Sequence, residues 1–162
     1  MAPPPRRSVL GQFRGLIVIG VIVVVIAVGG FLLRDRLTGN AGDLKVGDCF
    51  DIPAAASATV KDVQHHPCNE AHQGEVFAVI TYPGDSSATY PTQDAFDSFV
   101  VAQCGPAFTS YTGIAIEQSG NLEGSYLFPT SDGWSSGDRS VTCYLDDATG
   151  QSLTRSMRSP SP

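Results

Sequence analysis

Residues 16–33 form an unbroken apolar run, LIVIGVIVVVIAVGGFLL, with Arg14 before it and Arg34 and Arg36 after it. As a helix rising 1.5 Å per residue, a run of this length spans roughly 27 Å, close to the hydrocarbon thickness of a bilayer. Its β-branched residues would favour a strand in water. In lipid a lone segment must satisfy its own backbone hydrogen bonds, and only a helix does that. The run exceeds the ~7–15 apolar residues of a signal peptide, and Arg34-Asp35-Arg36 follows it where a small-residue cleavage site would stand. The expectation is an uncleaved transmembrane helix over 15–33, with the lipid bilayer as its first partner.

Orientation rests on the cysteines. Arg6, Arg7 and Arg14 before the run are balanced by Arg34, Arg36 and Lys45 after it, so the positive-inside rule scarcely discriminates. Cys49, Cys68, Cys104 and Cys143 all lie beyond the run. Four cysteines in a domain of about a hundred residues suit a disulfide-forming exterior. The N-terminus is therefore expected in the cytoplasm and the C-terminal domain outside it.

The organisation follows: a Pro/Arg tail (1–14), the helix (15–33), a flexible linker (34–43), one domain (44–147) and a disordered Ser/Pro/Arg tail (148–162). Residues 38–162 carry 15 acidic and 5 basic side chains. Such a surface repels nucleic acid and anionic lipid, which excludes a nucleic-acid role.

Within the domain, residues 45–50 read as an opening strand or turn, and 59–64 as a second strand. Residues 75–82 (EVFAVITY) are apolar on both faces and therefore central to a sheet. From Pro91 to Gly113 the period changes. Phe96, Val100, Cys104, Ala107 or Phe108, and Tyr111 recur at three- and four-residue intervals, the stripe of an amphipathic helix. Thr92 is its N-cap, Gly105-Pro106 is expected to break it, and Gly113 ends the short turn beyond. Strands over 124–128 and 140–145 follow, separated by a turn-rich loop holding Trp134. The fold class is α+β: a small antiparallel sheet covered by one main helix. Four cysteines allow three pairings. The chain favours Cys49–Cys68, joining the opening segment to the second strand, and Cys104–Cys143, stapling helix to final strand.

The string Leu44-Lys45-Val46-Gly47-Asp48-Cys49-Phe50 is followed by Pro67-Cys68, His72 and Glu75-Val76. Later come Cys104, then Trp134 with Gly137-Asp138-Arg139, then Cys143. In order and spacing this resembles the septum formation domain of actinobacterial membrane-anchored envelope proteins, over roughly residues 44–147. The resemblance implies a single-pass extracytoplasmic protein linked to septum formation, and it implies no chemical activity.

His65, His66, Cys68, His72 and Glu75 invite a zinc reading. It is set aside because a disulfide takes Cys68 and adjacent histidines seldom converge on one ion, so no metal or cofactor is expected. Gly133-Trp134-Ser135-Ser136-Gly137 has the Gly-x-Ser-x-Gly spacing but falls in the turn-rich loop and not at a strand-to-helix elbow, Ser-x-x-Lys is missing from the sequence, and no catalytic residue is assigned. His72 and Glu75 are expected to serve a turn or pair with each other. Trp134 is expected to cap a small core, with Arg139 paired to a carboxylate and Asp138 beside it. The expected function is binding to other envelope or division proteins; the runner-up is a cell-wall-acting hydrolase or ligand-binding envelope domain.

Overall fold

The computed structural model describes residues 38–53 and 60–160. The expected tail 1–14 and transmembrane helix 15–33 lie outside these residues. Among the described residues no helix is long and apolar enough to cross a membrane.

Six strands, β1 (Thr38–Asn40), β2 (Cys49–Asp51), β3 (Asp62–His66), β4 (Gly74–Thr81), β5 (Leu122–Leu127) and β6 (Ser140–Asp147), form one sheet in the order β1-β3-β2-β4-β6-β5. Every neighbouring pair is antiparallel. Helix α1 (Gln93–Thr112) covers one face, and a short helix α2 (Ser131–Ser135) precedes β6. The α+β architecture expected from the sequence is thus present, with β4 inside the sheet between β2 and β6.

Local chemistry explains these elements. The Thr92 side chain accepts a hydrogen bond from the Ala95 amide and starts α1; Gly113, at φ +72°, ends it and donates to the Thr109 carbonyl. The α1 stripe buries Phe96, Cys104, Phe108 and Tyr111 against the sheet. The expected break at Gly105-Pro106 is absent, because α1 runs straight through Pro106. Pro106 and Ala102, whose carbonyl loses its partner, are both on the exposed side, where water can replace the missing amide.

The opening turn is built by Asp48 and Gly47. Asp48 Oδ2 accepts from the Lys45 amide at 2.8 Å, and Gly47 takes φ +93°, a conformation that disfavours any side chain. The Gly47 amide bonds the Val76 carbonyl, so the turn is tied to β4 before β2 begins. On β4 a bulge falls between Val76 and Ala78. The extra residue lets Phe77 and Ala78 both pack toward α1, in one cluster with Phe108, Cys143 and Leu145. Both expected disulfides are formed, Cys49–Cys68 and Cys104–Cys143.

The opposite face has its own cluster, Ala41, Leu44, Phe50, Val63, Val76 and Tyr144, with Leu127 packed against it. Ala41 follows β1 and Leu127 ends β5, the two edges of the sheet. Their contact with one cluster means the sheet curls around its second core. Phe50 and Tyr144 meet edge-to-face at 5.3 Å between centroids. A Cβ on Gly74 would lie 2.9 Å from the Phe50 ring, so the residue opposite Phe50 has to be glycine.

Three further expectations are corrected. The linker is not wholly a tether: Thr38–Asn40 pairs with β3, and Ala41 is buried. The loop holding Trp134 contains α2, capped by Thr130, whose Oγ1 accepts from the Gly133 amide at 3.0 Å. The C-terminal tail is not disordered over 148–160. Leu153 forms a bridge with His72, and the Ser159 amide donates to the Tyr111 carbonyl at 2.8 Å. Composition alone reads this segment as solvated, yet it closes over the buried Glu75 carboxylate and supplies two of its donors, Ser156 and Met157.

Candidate functional site

Curling of the sheet leaves a groove of about 990 Å³ between its two edges. Asn40–Gly42 and Val60–Asp62 make one wall; Tyr126–Asp132 and Tyr90 make the other; Ser140 and Thr142 make the floor. Tyr90 and Phe128 remain 39% and 37% exposed, large aromatic surface left open to solvent. Asp62, Asp132 and Asp138 stand around it against a single cation, Lys61. Such a surface combines apolar contact area with an acidic rim.

The aromatic wall is held from behind by the Trp134 segment. Trp134 is buried, donates from Nε1 to the Ala88 carbonyl at 2.7 Å, and packs edge-on to Tyr82, Tyr90 and Phe96. Phe96 in turn stacks on Phe128 with centroids 4.7 Å apart. The Tyr90 hydroxyl donates to the Pro129 carbonyl at 2.8 Å, which fixes the ring at the groove edge. Burial pushes the Tyr90 hydroxyl pKa up. Tyr126 is pushed up to about 12 by burial and by its hydrogen bond to Asp97. Both groove hydroxyls therefore stay protonated at neutral pH and act as neutral hydrogen-bonding groups.

Arg139 does not pair with a carboxylate, contrary to expectation. Its guanidinium stacks on the Trp134 ring and donates to the carbonyls of Trp134, Asp138 and Asp85 at 2.7–2.8 Å. Asp138 accepts from the Ser140 amide at 2.9 Å and lines the groove. Gly137 supplies the turn at φ +94°. Trp134 and Arg139 therefore build the wall, and Asp138 reaches the groove itself.

His72 and Glu75 lie elsewhere, buried on the α1 side of the sheet. Glu75 Oε1 accepts from the Tyr111 hydroxyl at 2.6 Å and from Ser156 at 2.5 Å, and Oε2 accepts from the Met157 amide at 2.7 Å. Burial and this carboxylate drive the Tyr111 hydroxyl strongly upward in pKa, so Tyr111 remains a donor. His72 Nδ1 bonds the Glu70 carbonyl at 2.8 Å, the turn role expected for it, and makes no bond to Glu75. His66 instead pairs with Asp51 at 2.8 Å, and His65 packs beside Gly39. The residues first grouped as a metal set are thus split between places. His72 and Glu75 are joined by Cys49, which was not in that group: ligand-type atoms of the three lie within 4.8 Å of one another.

A family model described as septum formation matches residues 46–160. The chain belongs to the septum formation family. No curated protein and no solved structure matches it. The septum formation match extends past the expected domain end at 147 and includes the tail that seals Glu75. Ser156 and Met157 were missed in the sequence because nothing local marks them as partners of a carboxylate about eighty residues away. Tyr90, Tyr126 and Phe128 were missed for a related reason: the groove exists only once the sheet curls.

Proposed function

We propose that this protein is a membrane-anchored, extracytoplasmic interaction module of the cell envelope that serves septum formation or cell division by binding rather than catalysis. The observation that carries the reading is the groove, where Tyr90 and Phe128 stay open to solvent although an aromatic cluster is available to bury them. Aromatic surface held rigidly at a rim is costly unless it meets a partner, and aromatic residues are enriched at binding hot spots. The acidic rim favours a partner with basic residues at its contact, through steering as much as affinity. Two disulfides support an oxidising compartment, and the apolar run 16–33 supplies a means of anchoring at the membrane.

The test is a photo-crosslinking residue placed at position 128 or, as a control, at exposed position 101 of the full chain in dividing cells. The reading expects enrichment at division sites and a discrete adduct from position 128 that the position 101 variant does not form. Uniform membrane distribution with identical crosslinks from both positions would overturn it.

A further inference from the structure

Along β6 the second face of the sheet passes from core to groove. Tyr144, Thr142 and Ser140 follow one another on that face. Tyr144 packs with Phe50 in the second core, whereas Thr142 and Ser140 leave only short hydroxyl side chains as the groove floor. Strand β5 does not follow β6 back to its start. Leu127 pairs with Thr142, and two residues further on Pro129 stands opposite Ser140 with no amide to give. The Arg139 carbonyl accepts from the Tyr82 amide at 2.8 Å, so the carbonyl of the next residue, Ser140, points away from β4, to the side that β5 has left. The floor thus offers hydroxyls and a backbone acceptor in place of apolar surface.

The aromatic wall carries charge as well as rings. Phe128, Asp132 and Asp138 belong to one stretch of chain folded back on itself, because the Asp138 amide bonds the Gly133 carbonyl at 2.9 Å. Phe96 stacks on Phe128 and Tyr126 tilts against it, yet Phe128 stays 37% exposed. Asp132, Asp138 and, on the facing wall, Asp62 are exposed and pair with no cation among the described residues. Open ring surface beside such carboxylates suits a cation that is also planar. A guanidinium stacks on a ring and forks onto oxygens at once, which an ammonium cannot do. The chain already uses this pairing twice, with Arg139 at 3.6 Å over Trp134 and Arg158 at 5.5 Å over Tyr111.

A helix that lays an apolar stripe into a groove needs an apolar floor, and Ser140 and Thr142 deny it one. An extended backbone can donate to the Ser140 carbonyl and send alternate side chains to the same wall. Resting on the reading of the groove as the contact surface, we propose that its occupant is an extended, arginine-bearing segment of a partner protein. The guanidinium groups lie on the open rings of Tyr90 and Phe128 and bond the carboxylates of Asp132 and Asp138, with Asp62 facing them from the other wall. Lysine in their place keeps the charge and loses the stack and the fork. A neutral glycan leaves the carboxylates without a counter-charge.

The test titrates a fluorescent hexapeptide of alternating arginine and threonine with the full chain in non-ionic detergent and reads anisotropy. Binding should weaken as salt rises. The alternating lysine–threonine peptide should bind about fivefold or more weakly, and the glutamate–threonine peptide should not bind. Phe128→Ala, and Asp132→Asn with Asp138→Asn, should each weaken the arginine peptide by about tenfold, whereas Val101→Ala on exposed α1 surface should leave it unchanged. Asparagine keeps the oxygen that accepts from the Ser140 amide, so the double variant removes charge from a folded protein. Equal affinity for the arginine and lysine peptides, unchanged affinity in the asparagine variant, or equal binding of an alanine-based arginine helix would overturn the proposal. A tetramer of N-acetylglucosamine that displaces the peptide and binds the asparagine variant as well as the parent would make the groove a glycan site and overturn it too. Photo-crosslinking separates this inference from the proposed function. A specific adduct from position 128 in cells without peptide binding overturns the arginine segment alone; peptide binding with identical crosslinks from positions 128 and 101 supports the segment and overturns the septal reading.

Discussion

Arg139 lies over Trp134, its guanidinium carbon 3.6 Å from the ring centroid, and its nitrogens reach three backbone carbonyls on two separate segments. One cation therefore clips the loop at Asp85 to the end of α2 and backs the ring that supports the groove wall. A planar guanidinium can stack and fork at once, whereas an ammonium cannot.

Arg139→Ala should cost about 3 kcal/mol, because buried carbonyls lose charged donors and the ring loses its cover. Arg139→Lys should recover less than half of that. Urea unfolding of the two variants under oxidising conditions measures both values. A lysine variant as stable as the parent would show that charge alone, without the fork, holds the clip.

The tail at 153–160 acts on the buried carboxylate. Removing residues 153–162 strips two of the three donors from Glu75 and removes the bridge partner of the buried His72. A loss of about 3–5 kcal/mol is expected, the range for leaving a buried charge under-satisfied. Glu75→Gln should be milder, about 1–2 kcal/mol, since one amide oxygen still accepts from Tyr111 and Ser156 while only the Met157 amide meets a donor. Denaturant midpoints decide the order; a truncation milder than Glu75→Gln would contradict this account of the tail.

Pro106 sits inside α1 with its face toward water. Pro106→Ala restores an amide for the Ala102 carbonyl and removes a ring that crowds it. Proline costs about 3 kcal/mol against alanine in a helix interior, part of which is offset by the stiffer unfolded chain it leaves. A gain of about 1–2 kcal/mol is expected in thermal or urea unfolding, with no change at the groove.

What could be read from the sequence was whatever neighbours decide. The period of Phe96, Cys104, Phe108 and Tyr111, with Thr92 and Gly113 at the ends, is a local pattern, and α1 follows it. Alternation along 140–145 likewise gave the face shared by Val141, Cys143 and Leu145, all fully buried. The misreadings depended on surroundings. Pro106 breaks a helix only where its orphaned carbonyl is denied water. The Ser/Pro/Arg tail folds down because Glu75 and Tyr111 offer it partners, and that offer is made by tertiary structure. His72 and Glu75 stood out in the sequence, but their neighbour Cys49 became visible only through the register of β2 on β4.

Asp146 provides the pH test. Its Oδ1 is buried without a hydrogen-bond partner among the described residues, and burial, with lesser help from Glu123 and Asp147, raises its pKa despite a hydrogen bond from Ser125. A carboxyl whose folded pKa exceeds its unfolded value adds stability only while protonated. That contribution is complete below the unfolded pKa of about 3.9 and is lost as pH rises through the higher folded value. At neutral pH the ionised Asp146 therefore weighs against the fold. Asp146→Asn stays neutral throughout, so it should melt a few degrees higher than the parent near pH 7, and the gap should close as pH falls below about 4. Asp85, whose pKa is lowered by hydrogen bonds from Ser87, destabilises both proteins alike in acid and cancels in the comparison. Melting curves of the pair from pH 3 to pH 8 read the difference directly; an offset that is the same at both ends would mean that shape, and not charge, sets the cost of Asp146.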